Sequence, residues 1–200
     1  RFVYDYKTIK TIKPETSFHL ASFCNNQLFV REREKGLMKC VNDKLILIPN
    51  SQIFEEIGVF GVQPFSKNEL LITTHENGLF IYNTETDEFK EYNTENNSIW
   101  ISSMLLGCMQ LKDGNYAFNS QNNGTLIFNP KSKKINFINK AIDLQDNNVI
   151  AQYEDNTGNL WLALNYGLSK VYLNSSLQSF TSTQGNVNDA IKFNNKIYYI

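Results

Sequence analysis

The side chains able to do chemistry are few and scattered. Across 200 residues there are two histidines, His19 and His75, and three cysteines, Cys24, Cys40 and Cys108. No serine stands in a G-x-S-x-G elbow. The spacings H-x-H, H-E-x-x-H and C-x-x-C, which bring two metal-binding atoms onto one side of an element, do not occur. Asp43, Asp87, Asp113 and Asp143 stand near turns rather than in a calcium loop. No catalytic residue, metal or cofactor is therefore assigned. Glu55-Glu56 and Glu154-Asp155 are neighbours in sequence; on a strand, neighbours point to opposite faces, so neither pair is read as an acid–base couple. Carboxylates converging from distant parts of the chain stay open. An odd number of cysteines is not a disulfide framework. All three are expected to be small buried hydrophobes, a Cys24–Cys40 bridge being the alternative.

Composition narrows the partners. With 19 basic and 20 acidic side chains the net charge is −1, which supplies no field for nucleic acid or an anionic membrane. No apolar run is long enough to cross a bilayer. At 42 % apolar and 13 % aromatic there is material for a core. The 27 asparagines set against 4 prolines and 10 glycines predict many tight turns, because Asn tolerates left-handed backbone and caps turns with its own side chain. Many short strands follow; a helical bundle does not.

These residues must be positioned by a repeat. Gly36-Leu37-Met38, Gly78-Leu79-Phe80, Gly124-Thr125-Leu126 and Gly167-Leu168-Ser169 recur at spacings of 42, 46 and 43. Two strand-like runs precede each glycine: Phe18–Cys24 and Gln27–Arg31, Val59–Phe65 and Glu69–Thr74, Met104–Leu111 and Asn115–Ser120, Asn148–Glu154 and Asn159–Leu164. A third run starts at each glycine. A fourth follows at Lys44–Ile48, Glu88–Tyr92, Lys134–Ile138 and Leu177–Phe180. Four antiparallel strands per 40–45 residues is the period of a β-propeller blade. A lone four-stranded sheet covers neither face, so such sheets stack radially, and strands buried on both sides become continuously apolar. Leu70-Leu71-Ile72, Leu126-Ile127-Phe128 and Leu160-Trp161-Leu162-Ala163-Leu164 have that character.

The expected fold is all-β, a partial propeller over residues 1–200 with blades at about 15–50, 57–93, 103–139 and 147–181 and an incomplete fifth at 188–200. Phe2–Tyr6 and Thr8–Ile12 read as the last strand of a preceding unit. Four and a half blades are expected to be an arc of a larger ring, for example of seven, whose open edges would pair in a homodimer.

In a four-stranded meander the second-to-third turns and the connections between units emerge on one face. That face would carry His75, Glu76 and Asn77, Asn122, Tyr166 and an exposed Trp100, with Arg33 from the sign-alternating run Arg31-Glu32-Arg33-Glu34-Lys35. Amides beside an aromatic platform suit a polyhydroxylated ligand, and Arg31, Arg33 and Lys35 on one strand face would suit an acidic sugar. The competing reading is a solvated strand end and ordinary Asn-rich loops. His19, alternating within the first strand of its unit, reads as a core or channel residue.

The fourth unit carries a resemblance. Leu144 opens it, Gln145-Asp146-Asn147-Asn148-Val149 follows, and Glu154-Asp155-Asn156-Thr157-Gly158-Asn159-Leu160-Trp161-Leu162 leads on to Gly167-Leu168. This resembles the two-component regulator propeller repeat, departing from it at Leu162-Ala163-Leu164, where many repeats have an apolar residue, Gly and Thr. The Asp155–Gly158 segment would make the turn between the first two strands, and Trp161 would wedge between blades, its indole N–H needing one partner. The resemblance implies a periplasmic or extracellular sensor domain of an inner-membrane regulator of Bacteroidetes type. A triple-tyrosine domain often accompanies such propellers, and a histidine kinase or DNA-binding domain is the output. Oligosaccharides are the implied ligand class. A propeller enzyme acting on polysaccharide and a protein-binding scaffold are the alternatives.

Overall fold

The computed structural model describes residues 2–4, 9–173, 190–193 and 196–199, with side chains from 11 to 173. The expected strand at Leu177–Phe180, the connection that follows it and the Asn194-Asn195 turn lie outside the described residues. Strands β1 (Phe2–Tyr4) and β2 (Ile9–Thr11) pair with each other as a small antiparallel ladder. They are therefore two strands of one hairpin.

The first sheet is β3 (Phe18–Cys24), β4 (Gln27–Glu32), β5 (Gly36–Val41) and β6 (Lys44–Leu47); the second is β7 (Val59–Pro64), β8 (Glu69–Thr74), β9 (Leu79–Asn83) and β10 (Glu88–Glu91). The third is β11 (Leu105–Gln110), β12 (Tyr116–Ser120), β13 (Thr125–Phe128) and β14 (Ile135–Ile138). The fourth comprises β15 (Val149–Glu154), β16 (Leu160–Leu164) and β17 (Gly167–Val171), and β18 (Ala190–Phe193) pairs with β19 (Lys196–Tyr199). Every sheet is an antiparallel meander in chain order. The first strands neighbour one another in turn, β3 with β7, β7 with β11 and β11 with β15, which places them innermost. The sheets are consecutive blades of a β-propeller.

Asparagine does what its abundance predicts. Asn25-Asn26 and Asn42-Asp43 hold left-handed angles at adjacent positions, the backbone that a two-residue hairpin turn requires. The core sits between sheets. Phe29, Leu37 and Phe54 meet Val62, Leu70, Ile72 and Tyr82 of the second sheet. Leu71, on the opposite face of β8, packs with Trp100, Phe118 and Phe128. A third cluster joins Leu111 and Ala117 to Leu160, Leu162 and Leu164. Strand β8 is thus buried on both faces, as its apolar run implies. Strand β16 is not: Trp161 and Ala163 are only half-buried while the leucines between them are covered. The fourth strands β6 and β10 are mostly exposed edges.

A further expectation fails between the second and third sheets. Residues 97–103, between the second and third units, form helix α1 (Asn97–Ser103). Trp100 on it is completely buried, because one short helical turn swings the indole down onto Phe118 and Phe128, at ring distances of 5.0 and 5.4 Å. It offers no exposed platform. The three cysteines are free thiols, as expected, and the alternative Cys24–Cys40 bridge is not formed; Cys24 is buried, but Cys40 and Cys108 are only half-buried. Burial pushes the Cys24 thiol up to about 11, which makes it inert.

Candidate functional site

Each first strand is irregular at its start. The ladder register shifts between Phe18 and Leu20, Val59 and Gly61, Leu105 and Gly107, and Val149 and Ala151. The residue inside each shift, His19, Phe60, Leu106 or Ile150, is an extra residue opposite the second strand. Such a bulge re-aims its side chain. In the first two sheets it aims His19 and Phe60 at the same end of the molecule as the second-to-third turns.

There the first two sheets enclose a cleft of about 420 Å³. His19 and Phe60 line its floor; Arg33, Glu34, Glu55 and Glu56 come from the first sheet and the connection after it, and His75, Glu76 and Asn77 from the turn of the second. Phe60 joins the two imidazoles: His19 meets it edge-on at 4.7 Å and His75 stacks on it at 5.1 Å. His75 Nδ1 lies 3.1 Å from the Leu105 carbonyl, so the proton of the neutral ring sits on Nδ1 and Nε2 is left for the cleft, 3.8 Å from Glu76 Oε1. His19 Nδ1 is buried without a partner among the described residues. Burial, then the Arg31 and Arg33 charges, hold the His19 imidazole below its ordinary value of 6.5, so the ring is neutral at pH 7.

The basic run divides. Arg31 is buried, its guanidinium donating to the Phe54 and Glu55 carbonyls at 3.0 and 2.8 Å; it braces the connection between the sheets. Lys35 is ion-paired with Glu15 and lies 3.9 Å from Glu32. Arg33 alone is exposed at the cleft without an ion pair among the described residues. The three are therefore not one ligand-facing cluster. Glu55 and Glu56 follow a 3-10 turn at Ser51–Phe54 instead of lying on a strand, and both line the cleft. The strand argument that separated them does not apply.

Of the residues singled out by sequence, Arg33, His75, Glu76 and Asn77 come together. Asn122 lies in the corresponding turn of the third sheet, its amide donating to the Ser102 carbonyl at 3.1 Å. Tyr166, 78 % exposed, is on the fourth sheet. Neither lines this cleft, and Trp100 is in the core. His19 and Phe60 were missed as site residues; their one signal was a position at the start of a first strand, and the bulge that turns them outward leaves no mark in the residue pattern.

The fourth unit is held by its own turn. Asp155 accepts hydrogen bonds from the Thr157 amide and hydroxyl and the Asn159 amide, and from Trp161 Nε1 at 3.0 Å. The indole partner is thus Asp155. Lys170 Nζ lies over the Trp161 ring, 5.0 Å from its centroid.

The fold is that of a β-propeller, and the turn of the fourth unit carries the repeat motif. Residues 143–166 match the two component regulator propeller family, so the fourth unit is a repeat of that family. The fold recurs in the extracellular domain assigned to a one component system of B. thetaiotaomicron, at 18 % identity and a TM-score of 0.65 over 99 % of this chain and 29 % of that one. It recurs in the extracellular domain of a hybrid two component system of the same organism, at 19 % identity and a TM-score of 0.62 over 94 % and 28 %. A virginiamycin B lyase from Staphylococcus aureus, bound to quinupristin, shares it at 13 % identity and a TM-score of 0.60 over 96 % and 72 %. The chain spans less than a third of the two regulator domains. No curated protein sequence matches it. Among the described residues no helix is long and apolar enough to cross a membrane.

Proposed function

We propose that this chain is part of the extracytoplasmic, ligand-sensing propeller of a one- or two-component regulator, and that the cleft between its first two sheets takes a small polyhydroxylated ligand, oligosaccharide being the class, without turning it over. The observation that carries this reading is the regulator repeat at 143–166 within a fold shared with extracellular domains of such systems. The cleft supplies what a hydroxyl-rich ligand needs: donors from Arg33, acceptors from Glu34 and Glu76, an amide from Asn77 and an imidazole nitrogen from His75. Further blades complete the ring, and a ligand held across adjacent blades biases their packing, which an output domain beyond the membrane reads.

Calorimetry of the protein against a panel of neutral and acidic oligosaccharides tests this. Binding of at least one, weakened tenfold or more in Arg33→Ala or His75→Ala (about 1.4 kcal/mol), supports it; no binding by the intact protein overturns it.

One observation favours a second reading. Glu34 and Glu56, from the first sheet and the connection after it, reach the same cleft as Glu76 from the second, as a propeller glycosidase or lyase would require. Release of new reducing ends or unsaturated products, abolished in Glu76→Gln, would put the enzyme in place of the sensor.

A further inference from the structure

The sequence has two Asn-Gly pairs, Asn77-Gly78 and Asn123-Gly124, at the same position of the second and third units. We propose that Asn77 is a site of spontaneous amide-to-acid conversion that adds a carboxylate at the mouth of the cleft, and that the fold protects Asn123 from the same reaction.

The chemistry needs a free main-chain nitrogen and a mobile side chain. The Gly78 amide nitrogen gives its proton to hydroxide and attacks Asn77 Cγ. A cyclic imide closes as the Cγ–Nδ2 bond breaks, and Nδ2 takes a proton from water and leaves as ammonia. Water then opens the ring at either carbonyl, giving aspartate or isoaspartate and one proton. Nothing is oxidised or reduced. Glycine favours the step because no Cβ obstructs its nitrogen and its backbone turns freely.

Both glycines are buried, and both turns share one brace, Thr74 Oγ1 or Ser120 Oγ accepting from the asparagine N–H and donating to the glycine carbonyl. The turns differ at the asparagine side chain and at the glycine N–H. Asn77 is exposed, and its side-chain amide has no hydrogen bond among the described residues; only its main-chain N–H is held, by Thr74 Oγ1 at 3.1 Å. The Gly78 N–H donates to nothing among the described residues, and a Cβ placed on Gly78 would meet no atom within 4 Å. At the other turn Asn123 is half-buried and its Nδ2 donates to Ser103 Oγ at 2.9 Å. The Gly124 N–H donates to the Asn147 carbonyl at 2.8 Å, and the space beside Gly124 is filled by the Ile138 carbonyl. Attack by the Gly124 nitrogen first requires the third sheet to separate locally from the connection to the fourth.

Conversion at Asn77 sets a new carboxylate beside Glu76 and the cleft's other glutamates. It changes the site's charge without an enzyme and does not depend on which ligand the cleft takes.

The test is to hold the folded protein in mildly alkaline buffer and follow both peptides by mass spectrometry, with a parallel sample unfolded in urea. In the folded protein Asn77 is expected to convert about tenfold faster than Asn123 or more, since Asn123 reacts only through local opening; in urea the rates converge. Anion-exchange chromatography should show a more acidic form accumulating in wild type and not in Asn77→Gln. Equal rates in the folded protein, or an Asn77 that converts only in urea, would overturn the proposal. The folded-to-unfolded comparison uses wild type alone and stands even if the variant misfolds.

Discussion

Asp155 shows how much one carboxylate can organise. Thr157 first, then the Asn159 amide and Trp161, hold its carboxyl far below the ordinary carboxylate range. Its folded value is depressed, so its contribution is fully present above the unfolded value and is lost only as pH falls through the folded one, deep in acid. Asp155→Ala is expected to lower the melting temperature at neutral pH, measured by circular dichroism, because the Thr157, Asn159 and Trp161 donors lose their acceptor together. His19 acts nearer neutrality. Its folded value is also depressed, so below the unfolded value the unfolded chain binds the extra proton and stability falls with pH. Between about pH 7 and pH 5 the urea midpoint of wild type should drop more than that of His19→Asn. Parallel pH profiles would remove His19 as the cause.

The elements are set by turn chemistry more than by strand propensity. Gly78 and Gly124 hold almost the same left-handed angle, φ +73° and +75°, yet a Cβ on Gly124 would lie 2.1 Å from the Ile138 carbonyl while one on Gly78 meets nothing. Gly78→Ala should therefore cost about 1–2 kcal/mol, the strain of a left-handed alanine. Gly124→Ala adds a main-chain clash and should cost about 3 kcal/mol or more. Urea denaturation distinguishes them, and equal losses would remove the clash as the cause. The bulges belong to this scale as well. One extra residue at the start of β3 and of β7 turns His19 and Phe60 from sheet positions into the floor of a cleft.

At the scale of the molecule, the stabilising cores lie between sheets rather than within them. Each cluster is shared by two neighbouring blades, so stability is carried by nearest-neighbour interfaces, as in other repeat architectures. Trp100 contributes to the interface of the second and third sheets from a helix outside the four-strand repeat. Trp100→Ala should cost about 3–5 kcal/mol, read from denaturant curves. A loss under about 1 kcal/mol would mean that the surrounding rings close over the space.

Much of this was legible in the residue pattern. The four-unit repeat, the order of the strands and the Asn-rich hairpins follow from local periodicity and local turn chemistry, both of which act over a few residues. The face bearing Arg33, His75, Glu76 and Asn77 followed from the topology of a meander. Other features depended on which units touch. Trp100 looked like a loop aromatic until α1 placed it between two sheets. Arg31 looked like its neighbours until its guanidinium met the Phe54 and Glu55 carbonyls. Glu55 and Glu56 were separated on paper by a strand that is not there. Asn77-Gly78 and Asn123-Gly124 read alike, and only the second has its side-chain amide and its glycine N–H held among the described residues. Local sequence determined the repeat; only packing between repeats decided the site, because the atoms that bury, brace or expose each side chain come from a unit some forty residues away.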